Sequence, residues 1–301
     1  MNRRQFIRTT TLATTAMTAL RSSALGASES DRGVHWDIGC FNRPWVNDQA
    51  GWTEDTALDG IRDAGYKITG LLTRTKKDPF MGAEATAEYL DALKEKIAAR
   101  GLRANMGSVH TRPKAPFEAL KNDVRKQIDN AKRLDLEFLL TFGVDDPADY
   151  ENYCLTMSDA ADYAQERGLK LVLKPHGGSS GEADKIIECL EKVKRPNFKI
   201  WYDAGNIIYY NADKDPVEQL KPIVQYVTGF CAKDCDKEHG EVFLQFGTGK
   251  VNFAAVFAEL KRGGFNGPVM VECCAKGKTA EETTANARRN REFLERVFAE
   301  L

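Results

Sequence analysis

Short apolar runs alternate with amphipathic stretches along most of this chain. Leu136–Phe142, Lys170–Leu173, Lys199–Tyr202, Val227–Cys231 and Val269–Val271 show little polar alternation, the pattern of strands buried on both faces in a parallel sheet. Between the runs the spacing turns helical. Phe253, Val256, Phe257 and Leu260 stand at i, i+3, i+4 and i+7, and Leu294, Val297, Phe298 and Leu301 repeat that spacing, so each set predicts one apolar helix face. Helix ends are legible too. Ala64-Gly65-Tyr66, Arg100-Gly101-Leu102, Arg167-Gly168-Leu169 and Gly263-Gly264-Phe265 each place a Gly between a helical segment and an apolar run, where a left-handed residue closes the last turn. Asp215-Pro216-Val217-Glu218 reads as a cap with Pro at the first helical position, and Thr279 with Glu282 as a capping box.

Strands are predicted to begin near Val34, Lys67, Leu102, Leu136, Lys170, Lys199, Val227 and Val269. Eight strand–helix units over residues 34–301, with no Pro-, Gly- or Ser-rich linker, fit a single α/β domain closed as a (β/α)8 TIM barrel. No Gly-x-Gly-x-x-Gly follows the first strand, which argues against a dinucleotide-binding sheet. Residues 234–250 form a long polar connection after the seventh strand and are expected to lie over the pocket.

The first residues change the expected compartment. Asn2-Arg3-Arg4-Gln5-Phe6-Ile7-Arg8, a Thr- and Ala-rich stretch and small residues at Ala24–Ala27 read as a twin-arginine (Tat) export signal over residues 1–27. The mature chain is then expected in the periplasm or outside the cell, with no membrane attachment. Signal removal takes away Arg3, Arg4, Arg8 and Arg21 and no acid, moving the net charge from −1 to −5. With no basic stripe, nucleic acid is not an expected partner. The seven cysteines follow no small-domain disulfide spacing, and Cys154 and Cys189 fall on predicted helices as small apolar residues.

In a parallel barrel the strand C-termini carry the chemistry. There this chain places His110, Lys174-Pro-His176, Asp203-Ala-Gly-Asn206, Cys231-Ala-Lys233-Asp234 and Glu272. Residues two apart on a strand share a face, so Lys174 and His176 are expected on one wall of the pocket and Cys231 and Lys233 on another. Arg43 and Trp45, after the first strand, are candidate substrate contacts, as are Asp203, Asn206, His110 and Lys233.

Four motifs in order, Asp203-Ala-Gly-Asn206-Ile, Lys233-Asp234, Phe246-Gly-Thr-Gly-Lys-Val-Asn-Phe253 and Gly267-Pro-Val-Met-Val-Glu272, resemble the xylose-isomerase-like sugar phosphate isomerase/epimerase superfamily. The resemblance covers roughly residues 34–300. It implies a TIM barrel acting on sugars, polyols or related keto compounds, moving a proton beside a carbonyl, with a divalent metal held by Glu, Asp, His and Glu. Asp203 matches the family Asp and Glu272 the last Glu, but Lys174 stands at the strand-five Glu position and Cys231 at the strand-seven His position.

Two readings of the cofactor follow. In one, Lys174 replaces the metal: Lys174, Asp203, neutral Cys231 and Glu272 sum to −1, the same charge as the usual ligands with a dication. In the other, Asp203, Glu272 and His176 rebuild a site for manganese, zinc or magnesium. The expected reaction is isomerisation or epimerisation of a small-molecule sugar, with Glu272 as base, Lys174 on the oxyanion and His176 as acid. A keto-glycoside lyase or hydratase on the same barrel, or a non-catalytic sugar-binding barrel, are the alternatives.

Overall fold

A computed structural model describes residues 34–46 and 52–301; the export-signal expectation lies outside the described residues. Among the described residues eight strands alternate with helices, two short helices standing between the sixth and seventh strands. The order is β1 (Ile38–Phe41), α1 (Glu54–Asp63), β2 (Ile68–Leu71), α2 (Ala87–Ala98), β3 (Arg103–Ser108), α3 (Phe117–Arg133), β4 (Phe138–Thr141) and α4 (Tyr150–Gln165). It continues with β5 (Lys170–Leu173), α5 (Ala183–Val193), β6 (Phe198–Tyr202), α6 (Ala204–Tyr210), α7 (Pro216–Leu220), β7 (Val227–Ala232), α8 (Phe253–Arg262), β8 (Val269–Val271) and α9 (Ala280–Ala299). The strands form a closed parallel barrel in sequence order, sealed where Ile38 pairs with Val269 and Cys40 with Val271. The fold is a (β/α)8 TIM barrel.

Predicted and observed boundaries agree closely, with one difference at the start. Val34 donates to the carbonyl of Phe298 at 3.2 Å, so residues before Ile38 cross the base of the barrel toward α9 instead of extending β1. Gly65, Gly101, Gly168 and Gly264 all take positive φ at the predicted helix ends. Asp215 caps α7 through the amides of Val217 and Glu218, and Thr279 caps α9 through that of Glu282. The reciprocal half of the α9 capping box is displaced by one residue, because the Glu282 carboxylate accepts from Lys278 N. Among the described residues no helix is long and apolar enough to cross a membrane.

Strand alternation sorts the apolar residues into two cores. Outward-facing side chains meet the helices in the larger one, and Phe41, Ile68, Met106, Phe138, Leu140, Val172, Trp201, Cys231 and Met270 fill the barrel interior. Trp201 belongs to this packing, and Gly229 makes room for it: a Cβ there would lie 2.1 Å from the indole nitrogen. Residues two further along the same strands stand one layer higher, at the barrel mouth.

Asn42 and Glu54 brace the end of β1. The fully buried Asn42 accepts from the amides of Leu72 (3.3 Å) and Thr73 (3.0 Å) and donates to Thr73 O (2.8 Å) and Glu54 Oε2 (3.0 Å). The other Glu54 oxygen is buried without a partner. Burial, only partly offset by Asn42, pushes the Glu54 carboxyl from its ordinary 4.5 up to about 8. The unfolded chain releases this proton near the ordinary value, whereas the native state keeps it to about pH 8. This group therefore makes stability fall as pH rises from about 4.5 to 8. Glu54→Gln is expected to flatten that slope in urea unfolding followed by circular dichroism; an unchanged slope would show that Glu54 does not titrate in this window.

Candidate active site

Five charged side chains meet at the mouth, delivered by the alternation that fills the barrel below them. Val172, Trp201, Cys231 and Met270 lie in the interior core, and Lys174, Asp203, Lys233 and Glu272 follow each of them at two residues. Arg43 follows Phe41 in the same way. Lys174, Asp203, Lys233 and Glu272 are all less than 4% exposed.

Glu272 is the hub. Its Oε2 accepts from the Lys174 ammonium, and its Oε1 accepts from Lys233 at 3.2 Å and from the Arg43 guanidinium. Asp203 faces two ways. Its Oδ1 caps α6 by accepting from Asn206 N at 2.8 Å, while Oδ2 lies 3.0 Å from Lys174 Nζ and 3.4 Å from Lys233 Nζ. Oδ2 makes no hydrogen bond, so these approaches are off-axis ion pairs.

Burial opposes charge on Glu272 and Lys174, and the attraction of their partners overcomes it. Lys174, Lys233 and Arg43 hold the Glu272 carboxyl well below the usual carboxylate range despite burial, and Glu272 and Asp203 raise Lys174 above the usual lysine range. Burial pushes the Cys231 thiol well up, so it stays protonated beneath the charged layer.

The loop after β7 is organised by Asp234. Alternation turns Asp234 away from Lys233, and the two do not pair. Its Oδ1 accepts from Cys235 N (2.9 Å) and Val251 N (3.1 Å), and its Oδ2 from Gly247 N (3.0 Å) and Gly249 N (2.9 Å). This clamp explains the Phe246-Gly-Thr-Gly-Lys-Val spacing. Gly247 has φ +83°, and a Cβ on Gly249 would lie 2.3 Å from Asp234 Oδ1. The tied-down loop carries Phe243, whose ring centre lies 5.3 Å from the Arg43 guanidinium and 3.8 Å from Lys276 Nζ.

The opposite rim is aromatic. Phe142 lies 5.0 Å from the His176 ring, and His176 lies 5.2 Å from the Tyr210 ring, with the Tyr210 hydroxyl 3.2 Å from Nδ1. The His176 amide donates to Ser180 Oγ at 3.0 Å, which sets the residue at the edge of the mouth. His176 is exposed at the rim, yet partial desolvation by the atoms packed around its ring, then Lys174 and Lys233, lower it to about 4, so its imidazole is neutral at pH 7.

Other expected site residues serve the scaffold. Trp45 is fully buried, donates to Thr284 Oγ1 at 3.1 Å and packs on Gly60; it braces α1 against α9 and has no face for a substrate. Asn206 donates to Pro175 O at 2.6 Å, tying α6 to the end of β5. His110 lines a separate hollow of about 550 Å³ with Arg74, Glu84, Asp123 and Gln127. Gly205 presses on β7, where a Cβ would lie 2.8 Å from Lys233 O, so the Asp-Ala-Gly-Asn turn sets the height of Lys233.

The charge balance also needs correction. Lys233 and Arg43 join the cluster through the same carboxylates, so three cations meet two acids and the site carries +1, not −1. Asp203, Cys231 and Glu272 have ligand atoms within 4.8 Å of one another, but this set does not fit a divalent cation. The Lys174 ammonium already bridges the two carboxylates, a second ammonium flanks it, and the thiol is held protonated. His176 does not join these three: it is turned to Tyr210 at the rim. Phe142 and Tyr210 were missed by sequence reasoning. Phe142 was within reach of it, standing two residues beyond Leu140.

The family model for the xylose isomerase-like TIM barrel matches residues 58–297. The chain belongs to that family. Among curated relatives it is 26% identical over 171 residues to an inosose dehydratase of Geobacillus kaustophilus, covering 51% of this chain and 54% of that protein. It is 24% identical over 189 residues to an uncharacterized protein of Methanocaldococcus jannaschii, covering 58% and 62%. The chain thus spans little more than half the length of the curated relatives it matches. A D-tagatose 3-epimerase-like protein superposes with a TM-score of 0.69 at 16% identity, over 87% of this chain and 96% of that one. D-allulose 3-epimerase from Methylomonas sp. superposes with 0.67 at 18%, over 88% and 98%. At these identities the structures establish the shared barrel.

Protein produced with manganese and zinc in the medium and then dialysed is expected to carry far less than one metal ion per chain by elemental analysis. Stoichiometric metal that disappears in Asp203→Asn would overturn the reading of Lys174 as the resident cation.

Proposed function

We propose that this protein is an enzyme of carbohydrate metabolism that shifts a proton beside a carbonyl, with the Lys174 ammonium as its electrophile. The observation that carries the reading is Lys174 itself, 1% exposed and braced by Asp203 and Glu272 at the mouth of a sugar-isomerase-type barrel. An ammonium so held is a preorganised partner for the charge that develops on a carbonyl oxygen as the neighbouring C–H proton leaves. Low local dielectric strengthens that interaction.

Proton transfer belongs on this reading to His176. Glu272, expected from sequence to be the base, has both oxygens engaged by cations and its basicity suppressed by them. Its role is to position Lys174, Lys233 and Arg43. His176 is neutral, stands beside Phe142 at the rim, and has Tyr210 to orient its ring. Returning the proton from His176 to the adjacent carbon, as the hydroxyl proton passes to the former carbonyl oxygen, gives isomerisation; epimerisation takes a second proton donor on the opposite face. The aromatic rim suits the C–H face of a sugar ring. The export-type N-terminus extends the proposal to an unphosphorylated substrate met outside the cytoplasm.

A lyase or hydratase is the second reading, favoured by the similarity to an inosose dehydratase. It uses the same enolate and adds loss of an oxygen substituent, which His176 would protonate as it departs.

Incubation of keto-sugars and keto-glycosides in D2O, followed by NMR, is expected to show deuterium uptake beside the carbonyl. Lys174→Met should lower exchange by about 10²–10³-fold and His176→Asn by about 10²–10⁴-fold, both retaining the barrel's circular dichroism. The acid limb of kcat/KM should fall near pH 4, following His176, and not near 6.5. Binding without exchange would establish a sugar-binding barrel in place of an enzyme.

A further inference from the structure

The charged layer has one cation more than it has acids to pair with. Among the described residues, Arg43, Lys174 and Lys233 face only Asp203 and Glu272. The neighbouring Asp234 turns into the loop, where both its oxygens accept backbone amides, and it pairs with none of the three cations. Cys231 below is a neutral thiol. Asp203 Oδ1 is committed to the cap of α6, which leaves only Oδ2 for the ammoniums. A buried charge without a counter-charge is unfavourable unless a ligand supplies one.

The donors are unspent as well. Among the described residues Lys174 and Lys233 each make a single hydrogen bond, both to Glu272, although an ammonium has three N–H groups to give. Arg43 gives one nitrogen to Glu272 and keeps 32% of its side chain exposed, so the rest of its fork faces the opening. Phe243 covers one side of that guanidinium and orients it. The excess is therefore charge and hydrogen-bonding capacity together, all at one end of a pocket whose other rim is Phe142, His176 and Tyr210.

We infer that the substrate is an acidic sugar, a uronate or keto-aldonate, whose carboxylate is held by Arg43 and Lys233 while Lys174 takes the carbonyl oxygen. The inference deepens the proposed function and rests on it for the second half of that assignment. A carboxylate fits better than a phosphate ester. One negative charge brings the layer to neutrality, whereas a phosphate monoester brings nearly two and places the surplus beside Glu272 and Asp203. A flat carboxylate also matches the guanidinium fork.

Calorimetric titration with D-glucuronate and D-galacturonate, beside D-glucose, D-galactose and D-glucose 6-phosphate, tests this directly. At least one uronate is expected to bind tenfold or more tightly than its parent sugar and than the phosphate ester. The preference should disappear in Arg43→Gln and return in part in Arg43→Lys, with circular dichroism confirming that both variants fold. Parent sugars binding as tightly, the phosphate ester binding more tightly, or no uronate binding at all would each overturn the inference. Deuterium exchange on the same samples separates it from the proposed function. Uronate preference without exchange removes the enzyme and leaves the anion site; exchange on neutral keto-sugars without uronate preference does the reverse.

Discussion

One carboxylate organises the mouth of this barrel. Glu272 receives Lys174, Lys233 and Arg43, and its two oxygens settle where all three cations stand. The cations come from three other strands, so the arrangement exists only once the barrel has closed. Opposed charges buried together gain little for folding against hydrophobic residues of equal size, and removing one partner from such a set is costly. The network is thus a device for placing charge where solvent cannot weaken it. The remaining contacts follow from that demand: Asp203 shared between a helix cap and two ammoniums, Gly205 thinned to let a turn reach Lys233, and Gly229 thinned for the tryptophan beneath.

The mouth is asymmetric, and the asymmetry follows from which strands carry which residues. The side chains above the interior core on β5 to β8 and β1 are charged, whereas Leu72 and Phe142, above β2 and β4, continue the apolar packing upward. A small polar ring with one flat apolar face meets complementary surfaces on both sides of such a pocket. Family membership supplies the barrel and its habit of acting at this end. The substituted strand ends supply a different way of handling charge, with an organic cation fixed by the chain itself.

Much of this was legible in the sequence because it depends on local rules. Helix ends at Gly65, Gly101, Gly168 and Gly264, the cap at Asp215 and the near-continuous apolar runs are patterns of short range, and the eight units follow from counting them. Alternation along single strands was enough to bring Lys174, Asp203, Lys233 and Glu272 to one end. Partnership was harder to read. Lys233 next to Asp234 suggests an ion pair in one dimension, but adjacent strand residues face opposite ways, and the pair is split between the pocket and the loop clamp. Trp45 near Arg43 suggested a substrate contact, yet the chain turns after Asn42 and carries the indole into the helix layer. Net site charge is a property of five residues from separate strands, so a count from the four family positions had the wrong sign.

The clamp at Asp234 has a bearing on how this protein can change. Four amides from residues 235, 247, 249 and 251 converge on one carboxylate, so the base of the loop is locked to the strand that carries Lys233. Residues 236–246 form a lobe pinned at both ends, with His239 N bonded to Tyr209 O at 2.9 Å as its contact with α6. Apart from Phe243, which packs on the Arg43 guanidinium, mutational drift in that lobe is insulated from the geometry beneath it. Lineages can therefore remodel what the entrance admits, by altering the lobe's length or its tip, while the Lys233 ammonium stays in register.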